Sequence, residues 1–275
     1  MPREVTALYR EAVDTGERDH FREELSGLLF GAKDRYRSAR ATVSYTVDGV
    51  VAEESNRRFV DWRFAQGNPG MGVIGKPGPP QPEDFYHEYE DLERTVRLWH
   101  EGPDRWREEW LDGEGTLRRC VVAAGRHAPL WIYEPPDTAI HVPSVPEVRE
   151  PDPEISFVLG PSEEVFFYAL WDEATVRKTG RKTTLASREA LEARAETISW
   201  GYPPWVFKGY RSPQGTTDHL LMVDAKVGTV LRVSARLEAR EFEIAEVTEI
   251  AYDGEFPEGT FRLEMPGVEF RQVVR

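Results

Sequence analysis

The chain has 275 residues and is acidic, with 49 Asp and Glu against 35 Lys and Arg and a formal charge of −14. A diffuse charge of that sign argues against general binding to nucleic acid or anionic membranes, both of which need a basic face, and leaves room for local basic patches. Cys120 is the single cysteine, which excludes an internal disulfide and a thiolate zinc site; its strand-like setting, Leu117–Ala123, marks a buried structural thiol. The start, Met1-Pro-Arg-Glu-Val-Thr-Ala-Leu8, lacks the apolar core of a signal peptide. No stretch reaches the roughly 18–20 apolar residues of a membrane span. The sequence as it stands reads as cytoplasmic, or as exported if a signal has been removed.

The first forty residues read as helical. Phe21, Leu25, Leu28, Leu29, Ala32 and Tyr36 recur at three-to-four spacing, with Arg22, Glu23, Lys33 and Asp34 on the other side. Asp14 and Glu17 have the spacing of a capping box. Ala41–Val47 and Val50–Glu54 then read as strands around an Asp48-Gly49 hairpin signal, followed by Arg58–Phe64. Gly67–Pro82 is a loop rich in Pro and Gly. Leu92–Trp99, Arg105–Leu111, Leu117–Ala123 and Pro129–Tyr133 read as a meander, with turns at Gly102-Pro103, Asp112-Gly-Glu-Gly115 and Gly125-Arg126.

Pro135–Pro161 carries seven prolines and reads as irregular. Ser162–Thr175, with Val165, Phe166, Ala169 and Leu170, is the best second helix, and Arg177–Thr197 suits a hairpin turning near Ala186-Ser187. The last third is the clearest. His219–Val223 is followed by the turn Asp224-Ala-Lys-Val-Gly228. In Val230–Leu237, Leu231, Val233, Ala235 and Leu237 alternate with Arg232, Ser234 and Arg236. Glu241–Ala251 continues the pattern, and Phe261–Met265 reads as a last strand before Pro266 and Gly267. Period-2 alternation with such short turns means hairpins with one buried and one wet face. The expected fold is mainly β, an antiparallel sheet whose apolar face is covered by Phe21–Tyr36 and Val165–Thr175, in a single domain over residues 1–275.

Catalytic and cofactor signals are weak. Gly70-Met-Gly72-Val-Ile-Gly75 matches a dinucleotide fingerprint as a string, but Lys76-Pro-Gly-Pro-Pro80 follows where the pyrophosphate needs a helix N-terminus. The six histidines show no paired ligand spacing, and neither a nucleophile elbow nor a phosphate loop is present. Glu108-Glu109 and Glu163-Glu164 read as solvated faces. The expectation is no enzyme, no cofactor and no metal.

Aromatic residues are the excess. Eight tryptophans fall mostly on strands or their edges, and Trp200-Gly-Tyr-Pro-Pro-Trp-Val-Phe207 adds further rings. Such rings fill cores, and they also line apolar cavities. Trp106 and Trp110 share a strand face with Glu108 between them; Trp131 and Tyr133 share a face opposite Leu130 and Ile132. The candidate ligand-facing residues are Trp99, Trp106, Trp110, Trp131, Tyr133, Trp205 and Phe207.

The C-terminal hairpins Leu220-Leu-Met-Val-Asp224, Gly228-Thr-Val-Leu-Arg232-Val, Phe242-Glu-Ile-Ala-Glu-Val-Thr-Glu-Ile250 and Phe261-Arg-Leu-Glu-Met-Pro266 resemble the LolA/LppX/RseB superfamily, particularly the LolA-like proteins of actinobacteria. Arg105-Trp-Arg-Glu-Glu109 and Trp131-Ile-Tyr-Glu-Pro135 resemble its meander. The resemblance implies a strongly curved, half-open barrel plugged by short helices, and carriage of a hydrophobic or lipid-like ligand or a lipoprotein. It differs in that those relatives are exported. The alternative expectation is a protein-interaction or regulatory module whose core is filled by its own side chains.

Overall fold

A computed structural model of the chain describes residues 23–25, 27–29, 31–67, 81–102, 104–125, 128–143, 174–197 and 215–272. The strands are β1 (Ser38–Val47), β2 (Leu92–Glu101), β3 (Arg105–Asp112), β4 (Leu117–Ala124), β5 (Leu130–Glu134) and β6 (Thr138–Val142), then β7 (Ala174–Leu185), β8 (Arg188–Thr197), β9 (Asp218–Asp224), β10 (Val230–Leu237), β11 (Arg240–Tyr252) and β12 (Arg271–Gln272). They form one sheet in the order β12-β6-β5-β4-β3-β2-β1-β11-β10-β9-β8-β7, which does not close on itself. Two antiparallel meanders are therefore fused where β1 pairs with β11. The short β12–β6 pair is parallel. The hairpin expected over Arg177–Thr197 is present, and Ala186 and Ser187 both take positive φ at its turn.

Strand parity places Val43, Val96, Leu221, Leu231, Val233, Ala245 and Val247 on one side, here the inner face, where they form the main core. As expected, Leu231, Val233, Ala235 and Leu237 are fully buried. The opposite side of β10 is a polar ladder: Arg232 pairs with Glu241 and Glu246, Ser234 donates to Glu241, and Arg236 pairs with Asp218. A one-residue slip would bury these arginines in the apolar layer.

The helical cover differs in part from expectation. Residues 23–25 and 27–29 are helical, and Leu25 and Leu29 enter the main core. The helix stops short of Tyr36, however. Ala32–Arg35 is a 3-10 turn and Tyr36 is extended. Arg35 folds back to donate to the carbonyls of Gly27 and Leu28, and also to that of Val227 in the β9–β10 turn. One guanidinium thus caps the helix end and docks it on the sheet. Gly228, at φ +89°, lies so close to the Leu28 carbonyl that an added Cβ would overlap it.

Val50–Glu54 and Arg58–Phe64 are not strands, and Asp48-Gly49 is not a hairpin. Gly49–Ala65 is one helix, α1, and Trp62 lies on it. Asp48 is its N-cap, accepting from Val51 N at 3.0 Å, and Gly49 N donates to Asp91 at 2.9 Å. Val51, Ala52, Ser55, Asn56, Phe59 and Val60 form the buried face. Two polar residues in that face break the apolar period, and the valine pair mimics a strand. Val51 and Ala52 join the main core beside Leu25 and Leu29. The helix expected at Ser162–Thr175 lies outside the described residues except for Ala174 and Thr175, which belong to β7.

Two further expectations are corrected. Within Pro135–Pro161, the proline-free Thr138–Val142 forms β6, since proline excludes strand pairing only where it stands. Phe261–Met265 has no ladder partner; turns at Pro257–Thr260 and Gly259–Arg262 hold it instead. Its alternation is real, because Phe261 and Leu263 bury themselves on Cys120 and Val122 on the outer face. Burial also pushes the Cys120 thiol up to about 12. We expect Phe261→Ala to cost about 3 kcal/mol in urea denaturation. It should also speed modification of Cys120 by a thiol reagent roughly a hundredfold; unchanged reactivity would contradict this packing.

Candidate functional site

The inner face of β3 carries the pair that parity expected, Trp106 and Trp110, with Glu108 between them. Trp110 Nε1 donates to Glu108 Oε1 at 2.6 Å, Tyr45 stands edge-on to the Trp110 ring at 5.9 Å, and the Arg94 guanidinium lies 5.8 Å from it. Arg119 approaches the same carboxylate at 3.9 Å and pairs with Glu134 at 2.9 Å. Glu108 is 1% exposed. It sits within the packed layer and not on the solvated face expected of the Glu108-Glu109 pair, because strand alternation turns it inward, where an indole N–H and a nearby cation hold it.

Register brings Val121 opposite Glu108, Ala123 opposite Trp106, and Leu130 and Ile132 beside them. Trp106, Val121, Ala123 and Leu130 form a second apolar cluster on this face, with Ile132 and Val142 half-buried at its margin. Among the described residues, no helical side chain joins it.

Trp99, Trp131 and Tyr133 face the other way. Ala251, Arg40, Trp99, Arg107, Val122, Trp131 and His141 stand in one cross-strand row from β11 to β6 on the outer face. At the β5–β6 end, Trp131 stacks on His141 at 5.3 Å and Tyr133 meets Phe270 at 6.4 Å, both against the cluster under Phe261 and Leu263. At the β1–β2 end, Trp99 floors a groove of about 560 Å3 between the sheet and residues 254–260. A hollow of about 510 Å3 adjoins it across Arg40, Arg97 and Trp99. The residues singled out in the sequence thus divide between two faces, while Trp205 and Phe207 lie outside the described residues.

A buried polar row was not legible in the sequence. His219, Ala235, Glu243 and Val47 stand opposite one another across β9, β10, β11 and β1. Tyr45 Oη donates to Glu243 Oε1 at 2.6 Å. Burial pushes Glu243 up to about 8, the Tyr45 hydrogen bond opposing, and pushes His219 down to about 4, the Asp218 charge opposing. A bulge between Ala235 and Arg236 inserts Phe242 into β11. The bulge leaves both Phe242 and Glu243 buried, which simple alternation cannot anticipate. Among the described residues no group of three or more His, Cys, Asp or Glu side chains is placed to hold a metal ion, and no helix is long and apolar enough to cross a membrane.

These features define a class: a mainly β, half-open barrel with helices seated on its inner face. No protein-family model matches the chain, and no curated protein matches it. Among solved structures it is similar to an uncharacterized conserved protein from Thermus thermophilus, at 11% identity and a TM-score of 0.44, covering 91% of this chain and 98% of that one. It is similar to a chain of the Pseudomonas aeruginosa MucA/MucB complex at 14% identity and a TM-score of 0.45, covering 88% of this chain and 61% of that one. This chain therefore spans less than two thirds of that protein. A LolA superfamily protein from Nitrosomonas europaea is similar at 8% identity and a TM-score of 0.32, with 90% and 97% covered. The fold itself rests on this chain's own strand order.

The buried pair dictates a pH dependence. His219 binds its proton less tightly folded than unfolded, so it adds stability as pH rises from about 4 to its ordinary 6.5. Glu243 binds its proton more tightly folded, so its contribution is lost as pH rises from 4.5 to about 8. The two slopes oppose up to about pH 6.5. Above it Glu243 acts alone, and stability should fall by about 2 kcal/mol by pH 8. Glu243→Gln keeps an acceptor for Tyr45 and should abolish that fall in urea denaturation at pH 6.5 and 8. An equal fall in the variant would contradict the assignment.

Proposed function

We propose that this chain is a non-enzymatic binder or carrier of a hydrophobic, lipid-like ligand held over the inner face of β3–β6. One observation carries the reading: the apolar cluster of Trp106, Val121, Ala123 and Leu130 lies apart from the main core, and no described helical side chain joins it. Elsewhere on the inner face the protein supplies its own cover, with Leu25, Leu29, Val51 and Ala52 among Leu231 and Val233. The cluster's residues are 3–9% exposed in the chain alone, so an acyl chain or other apolar body would reach them by displacing what packs there. Trp106 is the large ring of this cluster, Trp110 belonging to the main core, and the satisfied Glu108–Trp110 pair adds no unpaired donor to the layer. A second reading, a protein-interaction module, draws on the main core, whose Leu231, Val233, Ala235 and Leu237 are wholly enclosed by the chain itself.

Native mass spectrometry of protein from its own host, followed by displacement of a fluorescent fatty acid, separates the two. The carrier reading expects a co-purified ligand, or uptake that Trp106→Leu weakens about tenfold, close to 1.4 kcal/mol. Uniformly ligand-free protein with no uptake of fatty acid or phospholipid would contradict it and leave the interaction module.

A further inference from the structure

The outer groove has a chemistry that an inner-face ligand does not use. Its floor is set by register: Arg40 stands opposite Trp99 and Trp99 opposite Arg107, while Thr42, Arg97 and Glu109 form the next row. Its wall is fixed at both ends. Asp253 N donates to Ser38 O at 2.8 Å and Ser38 Oγ to Gly254 O at 2.7 Å, and Arg107 Nη1 donates to Thr260 O at 3.1 Å. The resulting space, about 560 Å3, is thus built by the sheet and a tethered segment.

The three arginines are not equivalent. Arg107 is committed, forking onto Glu109 and reaching the Thr260 carbonyl. Among the described residues Arg97 has only Glu109, at 4.0 Å, and its side chain is 53% exposed. Arg40 is exposed and donates to no partner among the described residues. Arg40 and Arg97 are diagonal neighbours on adjacent strands of one face. Like charges this close repel each other, and an anion between them relieves the repulsion. Glu249, opposite Thr42 and diagonal to Arg40, continues the Thr42–Arg97–Glu109 row, and Glu255 lines the groove; both are exposed.

We propose that this groove is a phosphate-ester subsite, in which Arg40 and Arg97 donate to the phosphate from two strands and Trp99 floors the adjoining carbon skeleton. Two guanidinium forks arriving from different directions suit a tetrahedral group with oxygens on every side, whereas one fork already satisfies a carboxylate. The chain's net charge of −14 repels anions at long range, so capture depends on this local geometry and weakens with salt. The subsite is on the opposite face from the apolar cluster and stands or falls independently of it.

The test is calorimetric titration of the full chain with glycerol 3-phosphate and with inorganic phosphate, together with sedimentation of phosphatidylglycerol vesicles. Arg40→Gln and Arg97→Gln are compared with Arg118→Gln, which removes the same charge from an arginine paired with Asp112 on β3. Binding of a soluble phosphate should fall at least tenfold in the first two variants and hold in the third. Vesicle binding alone, lost in the same two variants, supports the site with a lipid headgroup as its source. No binding of any probe at millimolar concentration, equal binding in Arg40→Gln and Arg97→Gln, or an equal loss in Arg118→Gln overturns it.

Discussion

The rest of the structure depends on the pairing of β1 with β11. Ala39 stands opposite Tyr252 and Val47 opposite Glu243, so the pairing joins segments from near the two ends of the chain. On one side runs the meander from β1 to β6, on the other the meander from β7 to β11. Without this ladder each meander ends on a bare edge of unpaired backbone. With it, Ala41, Val43, Ala245 and Val247 become the middle of the core rather than its margin. Closing so long a loop costs entropy that grows only slowly with length, and a buried apolar seam offsets it. A register shift after Thr42 leaves Thr248 unpaired in β11, and its hydroxyl donates to the Thr42 carbonyl. The irregularity is satisfied where it arises.

The helices seat on that seam. Asp48 follows directly on β1, caps α1 with its side chain and donates its own N–H to Phe242 O on β11. The far side of α1 is tied to the β10–β11 turn by Arg58 with Glu238 and by Arg240 with Glu54. These pairs are exposed and add little stability; their effect is to fix the helix's rotation. Among the described residues, helical cover is concentrated on the β1, β10 and β11 part of the inner face. The inner face of β3–β6 carries its own buried apolar cluster around Trp106, and the Arg40–Trp99–Arg107 row stands on the reverse side. Two surfaces of different chemistry, back to back, follow from one ladder.

Much of the sheet was legible because alternation and turns agree. Leu231 to Leu237 against Arg232 to Arg236 fixes both a strand and its inner face, and Ala186-Ser187 marks a turn between two such runs. The misread elements each have a competing signal. Asp48-Gly49 has the chemistry of a hairpin turn and of a helix N-cap alike, and Ser55 and Asn56 hide the buried stripe of α1. The prolines around Thr138–Val142 concealed a strand that fits between them. Phe261 and Leu263 alternate as a strand does, but they press onto Cys120 and Val122 without a partner ladder. Strand parity paired Trp106 with Trp110 and Trp131 with Tyr133. It could not say that the two pairs occupy opposite faces, since relative facing is set by register between strands. Arg40 and Arg97 carry no sequence signal as a pair, because only the β1–β2 register makes them neighbours.

Native-state hydrogen exchange tests the β1–β11 join most directly. If that ladder fuses the two meanders into one cooperative unit, the amides of Val43, Tyr45, Ala245 and Val247 exchange only through global unfolding, with the free energy found in denaturant titration. Faster exchange of these amides than of those in β3–β4 and β9–β10, with the two meanders opening separately, would contradict it.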